Sequence, residues 1–148
     1  MPSTYLSLHY HLVFSTKNRA AFIAPDWRAR LHDYLGGTIR GLGGYPEGVG
    51  GVADHVHLLV GLKATHCLSD VMRELKKASS IWVHKEVGLR SFAWQEGYAA
   101  FTVGTTARPA VRNYIARQEE HHRVKTFREE LVGMLNKAGV EYDPKYLD

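Results

Sequence analysis

A chain of 148 residues is sized for one domain, spanning 1–148, and its formal charge of +4 with a pI of about 9.2 points towards a polyanionic partner. Its one cysteine, Cys67, excludes an internal disulfide and any CxxC metal knuckle, and fits a reducing, cytoplasmic setting. The opening MPSTYLSLHYHLVFSTKNR lacks the basic and apolar regions of a signal peptide, and no apolar run approaches the roughly 18 residues of a membrane span, so a soluble protein is expected.

YLSLHYHLVFST alternates with a period of two. Leu6, Leu8, Tyr10, Leu12 and Phe14 share one face, and Ser7, His9, His11 and Val13 the other, which predicts a first strand. APDWRARLHDYLGGTIRGLGG follows, with Pro25 and Asp26 as a helix start and Trp27, Leu31, Tyr34, Leu35 and Ile39 at helical spacing. GVGGVADHVHLLVGL predicts two strands joined by a tight turn near Ala53–Asp54, or one strand bent at a glycine bulge. CLSDVMRELKKASSIWVHKEVG is a second helix with a stripe of Leu68, Val71, Met72, Leu75, Trp82 and Val83, stopped by Gly88. FAWQEGYAAFTVG reads as a fourth strand. TTARPAVRNYIARQEEHHR begins a third helix, with Thr105 or Thr106 as cap and Pro109 in its first turn. TFREELVGMLNKAG is a fourth helix ended by Gly139, and VEYDPKYLD is expected to be irregular.

The order β-α-β-β-α-β-α-α predicts an α+β fold: a ferredoxin-like, RRM-like split β-α-β sandwich with an antiparallel sheet and added C-terminal helices. Helices cover one face of such a sheet. In DHVHLLV, residues 54–60, Val56, Leu58 and Val60 take the core face, so His55 and His57 stand side by side on the opposite one. By the same alternation His9 and His11 lie there too, as a competing HxH pair. On the third helix Val111, Tyr114, Gln118 and His121 fall within a narrow arc, so the stripe that should bury this helix contains a phenol, an amide and an imidazole.

Those residue types suggest a reaction. A phenol with a pKa near 10 is a poor nucleophile at neutral pH, but it can attack a phosphodiester polarised by a divalent cation. Two imidazoles and an amide oxygen form a three-ligand site with open positions. Such ligands suit manganese, cobalt, nickel or zinc, while cellular abundance can place magnesium there. Attack by tyrosine conserves the phosphodiester energy in a phosphotyrosine bond, so a strand can be cut and rejoined without ATP. Taken singly, each feature has a structural explanation: a surface histidine pair, a packing tyrosine, a solvated lysine pair at Lys76–Lys77, or imidazolium at a helix end for His121–His122.

The combination resembles the HUH-superfamily single-tyrosine transposases of insertion sequences and the related REP-associated tyrosine transposases. The likeness rests on YHLVFSTKNR, DHVHLLV, LKKASS, WQEGYAAFTVG, YIARQEEHH and the tail FREELVGMLNKAGVEYDPKYL, nearly end to end. It implies that Tyr114 is the nucleophile, leaving a 5′-phosphotyrosine link and a free 3′-hydroxyl. It implies that His55, His57 and Gln118 bind Mg²⁺ or Mn²⁺, with His11 and His121 nearby. It further implies single-stranded DNA with hairpins as substrate, and a homodimer with active sites shared in trans. By charge and placement alone, Arg19, Arg28, Lys76, Lys77, Arg112, Arg117 and Arg123 are candidates for strand contact. Two alternatives stand beside this reading: a domesticated, repeat-specific single-strand nuclease, and a non-enzymatic RRM-like domain that stacks bases on exposed strand aromatics.

Overall fold

The computed structural model describes residues 3–147. The chain runs β1 (His9–Ser15), α1 (Pro25–Gly41), β2 (Tyr45–Gly51), β3 (His55–Gly61), α2 (Leu68–Trp82) and β4 (Ala99–Thr102). It continues through α3 (Arg108–Ala116), α4 (Gln118–His121) and α5 (Phe127–Ala138). The sheet order is β2-β3-β1-β4 with every pair antiparallel, the topology expected of a ferredoxin-like α+β sandwich.

β1 and β3 are central, and their alternation sorts side chains to two faces. Leu12, Phe14, Val56, Leu58 and Val60 meet Trp27, Leu31, Leu35 and Ile39 of α1 and Val71, Met72 and Leu75 of α2 in the main core. Full burial of each such side chain contributes roughly 1.5–3 kcal/mol. The opposite face carries a smaller cluster of Leu59, Val103 and Ile115, with Val111 and Tyr114 packed against it. α3 therefore covers the second face.

Glycine makes that cover close. A Cβ at Gly50 of β2 would lie 2.2 Å from the Ile115 carbonyl oxygen, so backbone rests on backbone there. Gly50 thus serves a close approach between β2 and α3, Gly51 a close approach to the His55 backbone, and the turn between β2 and β3 falls over residues 52–54.

Four expectations are corrected. β1 starts at His9, four residues after Tyr5, and Leu6 is exposed outside it. The fourth strand shrinks to Ala99–Thr102, because Phe92 and Trp94 turn into the main core and, among the described residues, that segment meets the end of β1 through an isolated bridge, Thr16 to Trp94. The cap expected from Thr105 or Thr106 is absent: Thr105–Ala107 form a 3₁₀ turn, and Thr105 Oγ1 pairs with Ser7 Oγ at 2.9 Å. The third helix is broken at Arg117, whose φ of −105° and ψ of 27° separate α3 from α4. α2 ends as expected at Gly88 (φ 80°), after one wide turn over Val83–Val87. Thr126 caps α5 with a reciprocal Glu129 box, and Gly139 closes it at φ 70°. No described helix is long and apolar enough to cross a membrane.

Candidate active site

β3 presents His55 and His57 to the second face, and both are fully buried there. His55 Nδ1 meets the Asp54 carboxylate at 2.7 Å, and His57 Nδ1 meets His11 Nε2 at 2.7 Å. Each ring therefore has its Nδ1 engaged and its Nε2 turned to a common centre. His55 Nε2 lies 3.1 Å from Gln118 Oε1, and His57 Nε2 lies 2.9 Å from Glu130 Oε1. An imidazole tethered at one nitrogen by a carboxylate or another acceptor, with the other nitrogen aimed inward, is how metal-ligating histidines are oriented.

α3 and α4 supply the second wall. The Tyr114 hydroxyl donates to Glu130 Oε2. The Tyr114 ring packs against His121 with centroids 4.4 Å apart and against His57 at 5.8 Å. Gln118 is buried, and its amide nitrogen reaches Glu130 Oε2 at 3.3 Å. The helical arc read from sequence survives the break at Arg117, because α4 resumes with Gln118 still under the sheet.

Two residues at the centre were not among the sequence candidates. Glu130 of α5 touches His55, His57 and His122, and His122 Nε2 also lies 3.1 Å from Gln118 Oε1. Ligand atoms of His55, His57, His122 and Glu130 all lie within 4.8 Å of one another. The signals were present. Glu130 stands three residues after Phe127 on the buried side of α5, a carboxylate where an apolar residue belongs. His122 is four residues after Gln118, one turn on, whereas the arc had been followed to His121. Of the competing HxH pair, His11 supports His57, while His9 lies 3.2 Å from Glu47 at the far end of β1.

Electrostatics tie these groups together. Burial pushes the Glu130 carboxyl up, but hydrogen bonds from His122, His55 and His57 outweigh it and hold the group far below the usual carboxylate range. Burial opposes charge on His55, yet its contacts with Asp54 and Glu130 win and raise its pKa. Burial dominates at His57 and lowers it. Burial and the Glu130 charge both raise Tyr114, so the phenol is firmly protonated in this arrangement. The donor set of imidazoles, amide oxygen and carboxylate fits a divalent cation, whose charge would offset Glu130.

The cationic candidates divide. Arg28, Arg117 and Arg123 line a cavity of about 460 Å³ beside Gln118 and Gly50. Arg19 and Arg123 line a second beside Asp54 and His122. Arg28 is also held by the Ile23 carbonyl at 2.8 Å. Arg112 is exposed on α3 over Gly48. Lys76 and Lys77 lie on α2, the layer behind the sheet. Lys76 is committed to the Gln95 and Gly97 carbonyls at 2.7 and 2.6 Å, so its charge pins the loop before β4. On the Tyr114 side a cavity of about 650 Å³ is lined by His11, Tyr114, His121, Lys125 and Glu130.

All of these contacts occur within one chain. The segment from Val103 to Ala107 turns α3 back over the sheet and brings the Tyr114 ring to His57. Among the described residues, this cover buries His11, His55, His57 and Leu59 on the face that an RRM would leave open for bases.

A family model described as "Transposase IS200 like" matches residues 4–118. No curated protein sequence matches the chain. Among solved structures, a candidate transposase from Deinococcus radiodurans R1 is 25% identical, with a TM-score of 0.64 over 78% of this chain and 93% of that one. A REP-associated tyrosine transposase bound to a REP hairpin is 17% identical, with a TM-score of 0.56 over 78% of this chain and 68% of that one; at that identity the likeness is one of fold.

Proposed function

The chain belongs to the IS200-like transposase family, and from that premise we propose that it cuts and rejoins single-stranded DNA by attack of Tyr114 on a backbone phosphate. The observation that carries this reading is the Tyr114 hydroxyl held on a carboxylate that also touches both histidines of DHVHLLV. A nucleophile and a candidate cation site thus share one group.

Tyr114 Oη forms the new bond to phosphorus, and the bond from phosphorus to the 3′-oxygen breaks. The product is a 5′-phosphotyrosine and a 3′-hydroxyl, and reversal by another 3′-hydroxyl rejoins the strand. Glu130 orients the phenol through its hydrogen bond and stands where the phenolic proton departs. His121 packs on the ring and fixes its direction. His55, His57 and Gln118 would hold Mg²⁺ or Mn²⁺. When bound, such a cation polarises the phosphate and lowers the cost of the developing charge. Asp54 and His11 keep the two imidazoles turned inward. Arg28, Arg117 and Arg123 offer positive charge along the adjoining cavity, so binding should weaken steeply with salt.

Hairpin-bearing single-stranded DNA is the proposed substrate, supported by the fold shared with the hairpin-bound relative. The resemblance also implies a homodimer with exchanged helices. We propose instead that, within any dimer, each chain completes its own site, as supported by the in-chain contact of Tyr114 with His57 and Glu130. Mixed Tyr114→Phe and His57→Ala chains should then stay inactive together, and recovered cleavage would establish exchange.

The test of the reaction is direct. Labelled single-stranded DNA carrying a hairpin is incubated with the protein and Mn²⁺, then denatured. A covalent protein–DNA adduct is expected, absent in EDTA and restored by Mn²⁺. An undiminished adduct in EDTA removes the cation from the proposal. No adduct under any condition removes the nucleophile.

A further inference from the structure

The HxH and YxxxQ patterns account for β3, α3 and α4, but not for the carboxylate that α5 inserts between them. We propose that Glu130 and His122 are ligands of the site's cation, so that the ion fastens the C-terminal helix to the sheet. This rests on reading the site as cation-binding and adds two ligands, one from the end of α4 and one from α5, to that reading.

The first argument is orientation. Three imidazoles each engage Nδ1 away from the centre: His55 on Asp54 at 2.7 Å, His57 on His11 at 2.7 Å, and His122 on the Lys125 carbonyl at 2.7 Å. All three Nε2 atoms converge on Glu130 Oε1, at 3.4, 2.9 and 3.3 Å. His122 is thus positioned in the same manner as the two strand histidines. An imidazole engaged at Nδ1 that gives up its Nε2 proton to an arriving cation presents the Nε2 lone pair to it, which is the form that binds metal.

The second argument is spacing. The four ligand atoms lie within 4.8 Å of one another. Opposite ligands around one ion with bonds of about 2.1 Å stand roughly 4.2 Å apart. Small side-chain movements suffice to bring all four to a single ion.

The third argument is the cost of burial. Glu130 is 6% exposed. A buried carboxylate is retained where it is paired or coordinates a metal. Its partners here are three imidazoles, an amide and a phenol, and the amide and phenol bring no charge to it. A divalent cation supplies that charge. Three imidazoles and a carboxylate also shift preference from magnesium towards manganese, cobalt or zinc.

The ligands come from β3, from the end of α4 and from α5, and the last two are joined by the exposed turn at residues 123–126. Binding should therefore protect α5 from exchange. The experiment titrates Mn²⁺ calorimetrically into the full chain and into Glu130→Gln, His122→Asn and His57→Ala variants, with circular dichroism as the fold control. Hydrogen exchange of the Phe127–Ala138 amides is followed with and without Mn²⁺.

Glu130→Gln and His122→Asn should each weaken Mn²⁺ binding at least about tenfold, and Mn²⁺ should slow exchange in α5 of the unmodified protein. If Glu130→Gln binds as the unmodified chain does while His57→Ala does not, the cation reading stands and this inference falls. If the unmodified chain binds no Mn²⁺, both fall. Should Glu130→Gln not fold, Glu130→Asp keeps the charge but withdraws it by one methylene, and unchanged affinity in that variant overturns the inference. Mn²⁺ that binds but leaves α5 exchange unaltered overturns it without any variant.

Discussion

The two faces of the sheet are equally dry and chemically opposite. Along β3, Val56, Leu58 and Val60 on one side and His55, His57 and Leu59 on the other all have no exposed surface. Burial therefore does not distinguish core from site. Satisfaction does. The face under α1 and α2 needs only shape, because its side chains have no polar atoms to match. The face under α3 and α5 also carries Leu59 and Ile115, but beside them stand groups that must each find a partner, and His55, His57, Gln118 and Glu130 find one another. The first face stabilises the fold by area. The second is held together by a network whose charged member would be costly without its partners. One strand serves both purposes because its period is two.

Four changes would break or sharpen this contrast. The largest effect is expected on the polar face. Tyr114→Phe should abolish the covalent adduct, a loss on the order of 10⁶-fold as for deletion of the nucleophile in a catalytic unit. Stability should move by only about 1 kcal/mol, since Glu130 keeps its imidazole partners. A denaturing gel and a thermal melt read the two quantities, and a persistent adduct would transfer the nucleophile to another residue.

On the apolar face the order reverses. Leu58→Ala should cost about 2–5 kcal/mol of stability, seen in urea unfolding, while the folded fraction cleaves at the normal rate. A large drop in specific activity at full folding would mean that the two faces are coupled.

Gly50→Ala probes the contact between them. Its Cβ would meet the Ile115 carbonyl at 2.2 Å, so α3 must lift. A cost of about 1–3 kcal/mol is expected from overpacking. Cleavage should fall further than stability, because Tyr114 is carried on the displaced helix. Equal losses in the two measurements would make Gly50 a purely structural position.

The smallest effect concerns a histidine outside both faces. His32 of α1 has a buried Nε2 without a partner among the described residues, and burial, helped by the charge of Arg28, lowers its pKa to about 4. The unfolded chain takes up a proton near pH 6.5 that the folded chain refuses. Its contribution is therefore present above pH 6.5 and is lost as pH falls towards 4. His32→Asn should make stability less steep between pH 6.5 and 4.5 in urea titrations, with no change near pH 8. An unaltered slope would show that His32 titrates normally.

Much of this was legible in the sequence. Periodicity located β1, α1, α2, β3 and α5, because each has a one-sided apolar pattern long enough to exceed local noise. The same logic exposed His55, His57, Tyr114 and Gln118 as polar residues in buried positions. Three things were hidden. The break at Arg117 leaves no mark in a sequence of good helix formers, since the backbone there answers to packing against the sheet. Phe92 and Trp94 look like strand residues but are drawn into the main core by aromatic contacts with Phe14 and Phe22. Glu130 lies outside the HxH and YxxxQ patterns, and although its place on α5 was readable, only the folding back of α5 brings its carboxylate to β3. Gly50 was visible as a glycine, but its purpose depends on a helix sixty-five positions later in the chain.

That distance has a kinetic meaning. His55 meets Gln118 across 63 residues, and His57 meets Glu130 across 73. Contacts so far apart in the chain are closed late, after nearer pairings have reduced the entropy of the search. During synthesis the strands and helices of the main core emerge before α5 does. A nascent chain can therefore hold most of its hydrophobic core while the cluster of His55, His57, His122 and Glu130 is incomplete until α5 has emerged.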